Sequence, residues 1–168
     1  RLVIVGGRKP DGYEDDLMAR WPQWLIKLPR FPLDQMADVV AAAHIVVVPQ
    51  RDTPTAQAQF PIKLTDGMAM AKPILSTTVG DIPKILGEAG YLVAPHAPDR
   101  LATMLQTILD NPEQAASKGR LARERCIRHY SVDAMAETLA PLINQCLKRQ
   151  PRNQLGYKQN HSHRESDR

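Results

Sequence analysis

Residues 24–48 read WLIKLPRFPLDQMADVVAAAHIVVV, and the spacing of apolar positions changes twice within them. The opening WLIKL (24–28) has the length and content of a short strand. Leu33, Met36, Ala37 and Val40 then fall at i, i+3, i+4 and i+7, the stripe of an amphipathic helix that runs into Ala43. IVVV (45–48) follows at once, continuous and β-branched, as in a strand covered on both faces. Strand, helix and strand in that order predict a βαβ unit with parallel strands. Outward from it, LVIV (2–5), PILST (73–77) and YLV (91–93) supply three more strand-length runs, separated by longer segments. The predicted fold class is α/β, a Rossmann-like parallel sheet flanked by helices.

The last third predicts helices alone. Leu101, Met104, Leu105, Ile108 and Leu109 make one stripe, closed by Asp110-Asn111-Pro112. Ser131 is placed to cap a helix whose apolar face runs from Val132 through Met135, Leu139 and Leu142 to Cys146. Between them, residues 113–129 are strongly charged. Glu124 and Arg128 stand four apart, and Lys118, Arg120, Arg123 and Arg125 are expected on a solvated face. Residues 1–150 are expected to form one domain, and 151–168 a disordered, basic, polar tail.

With 168 residues, 43% hydrophobic and 24% charged, the composition is that of an ordinary globular domain. No apolar run approaches the roughly 18 residues of a membrane-spanning helix. The net charge of +4 is local: from Lys148 to Arg168 there are six Lys/Arg and two Asp/Glu, and the remainder is balanced. Basicity therefore does not make the folded part a polyanion binder. Cys126 and Cys146 lack metal-binding spacing and read as reduced core residues of a cytoplasmic protein. His96 and His129 likewise lack partners at metal spacing, and His161 and His163, one residue apart in the tail, read as a solvated pair ahead of an adventitious metal site, so no metal is expected. Trp21 and Trp24 are expected at core and rim. A strand that begins at Leu2, behind Arg1 rather than Met, leads us to expect a preceding segment.

In open α/β sheets ligands sit beyond the carboxyl ends of the strands. The residues there are small, Gly-containing and cationic, as around Gly6-Gly7, Pro29-Arg30, Gln50-Arg51 and Gly80-Asp81. The next informative stretch is QFPIKLTDGMAMAKPILSTTV (59–79). It carries three charges, and two of them, Lys63 and Asp66, lie three apart on one helical face. Pro61 suits the first helical position, which puts Lys63 in the first turn, where the helix dipole prefers an anion. Two readings follow: a diphosphate held by Lys63 and first-turn amides, or a plain Lys63–Asp66 surface pair worth a few tenths of a kcal/mol.

The run P-I-K-L-T-D-G-M-A-M-A-K-P-I-L-S-T-T-V-G-D-I-P-K-I (61–85), followed by G-Y-L-V (90–93), resembles the donor-binding half of family 4 (group 1) retaining glycosyltransferases. Their pattern is P-x-K-x-x-E-x-M-A-x-G-K-P-V-V-A-T-x-V-G-G-x-P-E-I, followed by G-x-L-V. The flanking strands and the Ser131 helix are similar as well. The resemblance implies the C-terminal half of a GT-B fold that binds a nucleoside-diphosphate sugar. By that resemblance Asp66 takes the place of the ribose-binding Glu. Pro61, Ile62 and Lys63 match the segment that approaches the diphosphate, and Arg30 and Phe31 lie in the loop that meets the base. The nucleotide sugar is a substrate, so the resemblance implies neither cofactor nor metal.

Three departures accompany it. Ala58 stands where the E-x7-E version of the motif has its first acid. The small residue after the methionine–alanine pair falls at Ala71, and Lys84 replaces the Glu of G-x-P-E. The Arg and Lys that flank the diphosphate in the family precede Arg1. The expected protein is a retaining hexosyltransferase of the GT-B type. As an isolated chain it is expected to be inactive, for want of an N-terminal acceptor domain. The alternatives are a non-catalytic nucleotide-binding or interaction module and a different GT-B chemistry such as epimerisation. No nucleic-acid partner is expected. Peripheral membrane contact through the basic tail is one expectation for a cytoplasmic enzyme of this kind.

Overall fold

The computed structural model describes residues 1–7 and 11–149; the segment 151–168, expected as a tail, lies outside the described residues. Five short strands alternate with helices: β1 (Leu2–Val5), α1 (Tyr13–Arg20), β2 (Leu25–Leu28), α2 (Met36–Ala41), β3 (Val46–Val48), α3 (Pro54–Ala58), α4 (Ile62–Ala69), β4 (Ile74–Thr77), α5 (Ile82–Leu86), β5 (Tyr91–Val93), α6 (Pro98–Asp110), α7 (Pro112–Tyr130) and α8 (Val132–Arg149). Every ladder is parallel, as the βαβ reading predicts. The strands form two sheets rather than one: β1 pairs with β2, and β3–β4–β5 form the other in that order. The helix expected from Leu33 opens instead as a 3-10 turn over Leu33–Gln35 before α2 begins.

The core lies around the second sheet. All four residues of β4 are buried, Ile74 and Leu75 completely, because α4 and α5 cover one face and α6 the other. The β4 hydroxyls are satisfied within the sheet: Ser76 Oγ donates to the Val48 carbonyl at 2.7 Å, and Thr77 Oγ1 to that of Gln50 at 2.8 Å. Both bonds tie β4 to the carboxyl end of β3 without leaving a buried donor unpaired.

Of the basic face expected in solvent, Arg120 and Arg123 are exposed, but three of its four cations also bond backbone carbonyls. Lys118 donates to the Glu88 and Gly90 carbonyls, Arg123 to Ala69, and Arg125 to both Lys84 and Ile85. These cations satisfy carbonyls left over at the ends of α4 and α5 and at the 3-10 turn Gly87–Ala89 that follows α5. Gly119 permits the approach, since a Cβ there would overlap the Ala71 carbonyl oxygen. Of the two cysteines, Cys126 is buried as expected and Cys146 is exposed. Trp21 and Trp24, expected at core and rim, are 43% and 61% exposed in the turn before β2.

Arg1–Tyr130 forms one compact unit, and a second begins at Ser131. In the second, Ser131 Oγ accepts from the Ala134 amide, the predicted cap, and the apolar stripe of α8 stands exposed from Val132 to Leu147. Among the described residues no helix is long and apolar enough to cross a membrane.

Candidate functional site

α4 is fixed at one end and open at the other. Leu64 and Met68 are completely buried beneath it. Its C-terminus closes in a Schellman arrangement: the Lys72 amide donates to Gly67 and the Ala71 amide to Met68, each at 3.0 Å. Arg123 caps the Ala69 carbonyl from α7. The residue in the left-handed conformation that this motif requires is Ala71, at φ 53, where the family pattern has Gly.

At the other end Pro61 is the N-cap, not the first helical residue as expected, so the helix begins at Ile62 and Lys63 remains in its first turn. The Leu64 amide returns to the Pro61 carbonyl at 2.9 Å. Among the described residues the amides of Ile62 and Lys63 have no acceptor, and the positive end of the helix dipole is uncovered.

Lys63 and Asp66 share the wall of one cavity of about 590 Å³ with Leu28 at the end of β2, Val5 at the end of β1 and Val48 at the end of β3. They do not pair with each other, which removes the surface-pair reading. Asp66 is half-buried, and burial pushes its carboxyl above the usual carboxylate range. Behind it the Cys126 thiol donates weakly to the Thr65 carbonyl at 3.7 Å. That thiol is itself pushed up, first by burial and also by the Asp66 carboxylate, against the opposing Arg123 cation. A carboxylate on an apolar wall with no protein donor is suited to accept hydroxyl hydrogens from a ligand.

The other sequence-predicted residues are not drawn into this wall. Arg30 is exposed and Phe31 half-buried after β2, Pro61 is buried, and Ile62 is 67% exposed. Ala58 ends α3 exposed, and Lys84 is exposed on α5. Gly80, at φ 55 in the loop after β4, admits the Gln57 carbonyl, which would lie 2.8 Å from a Cβ there; this seats α3 against that loop.

Sequence reasoning missed α3. Its signal was legible, because Thr53 caps the Ala56 amide at 3.2 Å and Pro54 follows at the first helical position. Gln50-Arg51, singled out in the sequence as lying beyond a strand end, border a second cavity of about 360 Å³ that Thr77 and His96 also line, and Gln50 Oε1 is buried there without a partner among the described residues. Among the described residues no group of three His, Cys, Asp or Glu could hold a metal ion.

Comparison with known proteins agrees with this architecture. A model of the family "Glycosyl transferases group 1" matches residues 1–111. A D-inositol 3-phosphate glycosyltransferase of Corynebacterium glutamicum is 32% identical over 156 residues, 88% of this chain and 36% of that protein. An alpha-maltose-1-phosphate synthase of Mycolicibacterium smegmatis is 30% identical over 63% of this chain and 28% of its own length. Among solved structures, sucrose-phosphate synthase from Thermosynechococcus elongatus superposes with a TM-score of 0.75 at 26% identity, over 88% of this chain and 38% of that one. Anabaena Alr3699/HepE, solved with UDP-glucose, gives 0.70 at 17% identity over 85% and 40%. The chain spans about a third of the length of the curated relatives it matches.

Proposed function

The chain belongs to the group 1 glycosyltransferases, and from that membership we propose that it is the donor-binding half of a retaining, two-domain sugar transferase whose substrate is a nucleoside-diphosphate sugar. One observation carries the reading: Lys63 at the open end of α4 and Asp66 about one turn further in stand unpaired on one cavity wall, on a helix anchored at its other end. The diphosphate lies against the free amides of Ile62 and Lys63, with the Lys63 ammonium opposite its charge. Asp66 accepts the ribose hydroxyls. Leu28, with Arg30 and Phe31 beyond it, borders the base.

When the bond between the anomeric carbon and the phosphate oxygen breaks, negative charge grows on the diphosphate. Preorganised donors of this kind act on that charge without a bound metal. Removing one typically costs about 10²–10³ in rate. The acceptor and the remaining cations come from the rest of the enzyme, so this chain binds donor and transfers nothing alone. A second reading, a nucleotide-binding module without catalysis, draws on Ala58, which is exposed where the family motif has an acid.

Calorimetric titration with UDP, GDP, ADP and their nucleosides tests the assignment; UDP comes first because a neighbour of this fold was solved with UDP-glucose. Lys63→Ala should weaken diphosphates more than nucleosides, whereas Asp66→Ala should weaken both. A hydrogen bond to a charged group is worth roughly 1.5–3 kcal/mol, so each loss should be about ten- to hundredfold. Wild-type binding that neither substitution weakens would overturn it.

A further inference from the structure

α7 lies antiparallel along α4, and the two touch in one register from end to end. At the anchored end Gly119 meets the Ala71 carbonyl, which a Cβ would overlap. Cys126 Sγ reaches the Thr65 carbonyl near the middle. At the other end the Tyr130 ring stacks on Phe60, with centroids 5.8 Å apart and planes tilted by 49°. Phe60 and Ala71 are eleven residues apart, and so are Gly119 and Tyr130, so the register set at one end holds at the other. Gly119, Ala122, Cys126 and Tyr130 follow one another at steps of three and four, which puts them on one face of α7. The first three are buried, and Tyr130 packs against the same core. Phe60 has little else to hold it. It is 46% exposed, its backbone has no hydrogen-bond partner among the described residues, and it sits in the three-residue link 59–61 between α3 and α4.

We propose that Tyr130 is a positioning residue for the donor's diphosphate, a role that rests on the donor-site reading: by holding the Phe60 ring it fixes the link into α4, and with it the direction of the Ile62 and Lys63 amides. The link leads directly into the N-cap, Pro61, and those two amides follow it. A Phe60 free to swing would turn the cap and the amides together. Amides hold an anion only while their N–H bonds converge on it, because a hydrogen bond weakens steeply off line. The separation of the rings is that of a favourable tilted pair, whose centroids lie roughly 4.5–7 Å apart. Neither ring lines the cavity that Lys63 and Asp66 share, so the effect passes through the backbone rather than by contact with a ligand. A bare nucleoside has no diphosphate, and it meets Asp66 one turn further in, where Leu64 and Met68 hold the helix from beneath. The ring contact therefore bears on the diphosphate and not on the ribose.

The test has one arm without nucleotide and one with it. In the first, amide hydrogen exchange of the 168-residue chain is compared with that of Tyr130→Ala. The Leu64 amide, bonded to the Pro61 carbonyl, should exchange about tenfold faster in the variant, while Ala71 and Lys72 at the anchored end stay unchanged. Unchanged exchange at Leu64 would overturn the brace. In the second arm, calorimetric titration with UDP, GDP, ADP and their nucleosides should show Tyr130→Ala weakening the diphosphate about tenfold and its nucleoside less than about twofold. Tyr130→Phe, which keeps the ring, should bind like the wild type, and Phe60→Leu should repeat the Tyr130→Ala pattern if that variant does not fold. Leu105→Ala, in the core on the other face of the sheet, is the control for lost stability. If it too separated diphosphate from nucleoside, or if Tyr130→Ala weakened both alike, the contact would be structural only and the positioning role overturned. Wild-type binding that Lys63→Ala weakens and Tyr130→Ala leaves alone would overturn the role and spare the donor reading. A wild-type chain that binds none of the diphosphates would end the donor reading and the role together, even with Leu64 loosened in the variant.

Discussion

The two sheets have similar strand sequences and opposite environments. β4 (ILST) is buried along its whole length, whereas Leu2 and Val3 of β1 (LVIV) are 54% and 47% exposed. The β3–β5 sheet is covered by α4–α7, and cations of α7 close the ends of α4 and α5. β1 and β2 are held largely by their own ladder and by a Lys27–Glu14 ion pair at 2.7 Å joining β2 to α1. Apolar strand content alone therefore does not make a core; the neighbours that cover it do. In this chain the covered region carries the stability, and the open region borders the site.

Truncation is the strongest way to break that contrast. Leu75→Ala, in the closed sheet, should cost about 2–5 kcal/mol, while Val3→Ala, on the open edge, should cost less than about 1 kcal/mol; urea unfolding of both variants checks the difference. Next in size is Arg125→Ala, which strips a cation from the Lys84 and Ile85 carbonyls and should cost about 1–3 kcal/mol. A cost near zero would mean that α7 holds the closed half by apolar contact alone.

Ala71→Gly should act in the opposite direction. A left-handed alanine costs roughly 1–2 kcal/mol, part of which is offset by the greater freedom of glycine in the unfolded chain. The variant should gain about 0.5–1 kcal/mol, read as a rise in melting temperature. Unchanged or reduced stability would contradict the Schellman geometry at the end of α4.

The smallest effect belongs to Asp66. Burial raises its folded-state pKa, so the folded protein holds the proton more tightly than the unfolded chain, and stability falls as pH rises from the unfolded carboxylate value through the raised one. Asp66→Asn should therefore stabilise the chain at neutral pH, by less than about 1 kcal/mol given solvent screening. That advantage should fade below the ordinary carboxylate range. The same variant should bind nucleotides worse, a trade expected where a charge is kept for ligand rather than for fold.

Parallel strands, their order along the chain and the long helices were legible because apolar period alone encodes them. Lys63 and Asp66 were legible as a pair on one face because three-residue spacing fixes it on any helix. The split into two sheets was not legible, since LVIV and IVVV look alike and nothing local says which edges meet. The role of the α7 cations was hidden for a similar reason: Lys118, Arg123 and Arg125 have the spacing of a solvated face, and their acceptors are carbonyls some 28 to 54 residues away. The left-handed Ala71 was hidden because alanine, unlike glycine, gives no warning of positive φ.

Amide exchange of the 168-residue chain with and without saturating UDP, GDP or ADP tests the donor site most directly. With the diphosphate that binds, the amides of Ile62 and Lys63 at the open end of α4 should slow at least tenfold, while Met70 and Ala71 at its anchored end and Leu2 at the far end of β1 should stay unchanged. Protection that spares Ile62 and Lys63 and appears elsewhere would contradict the account.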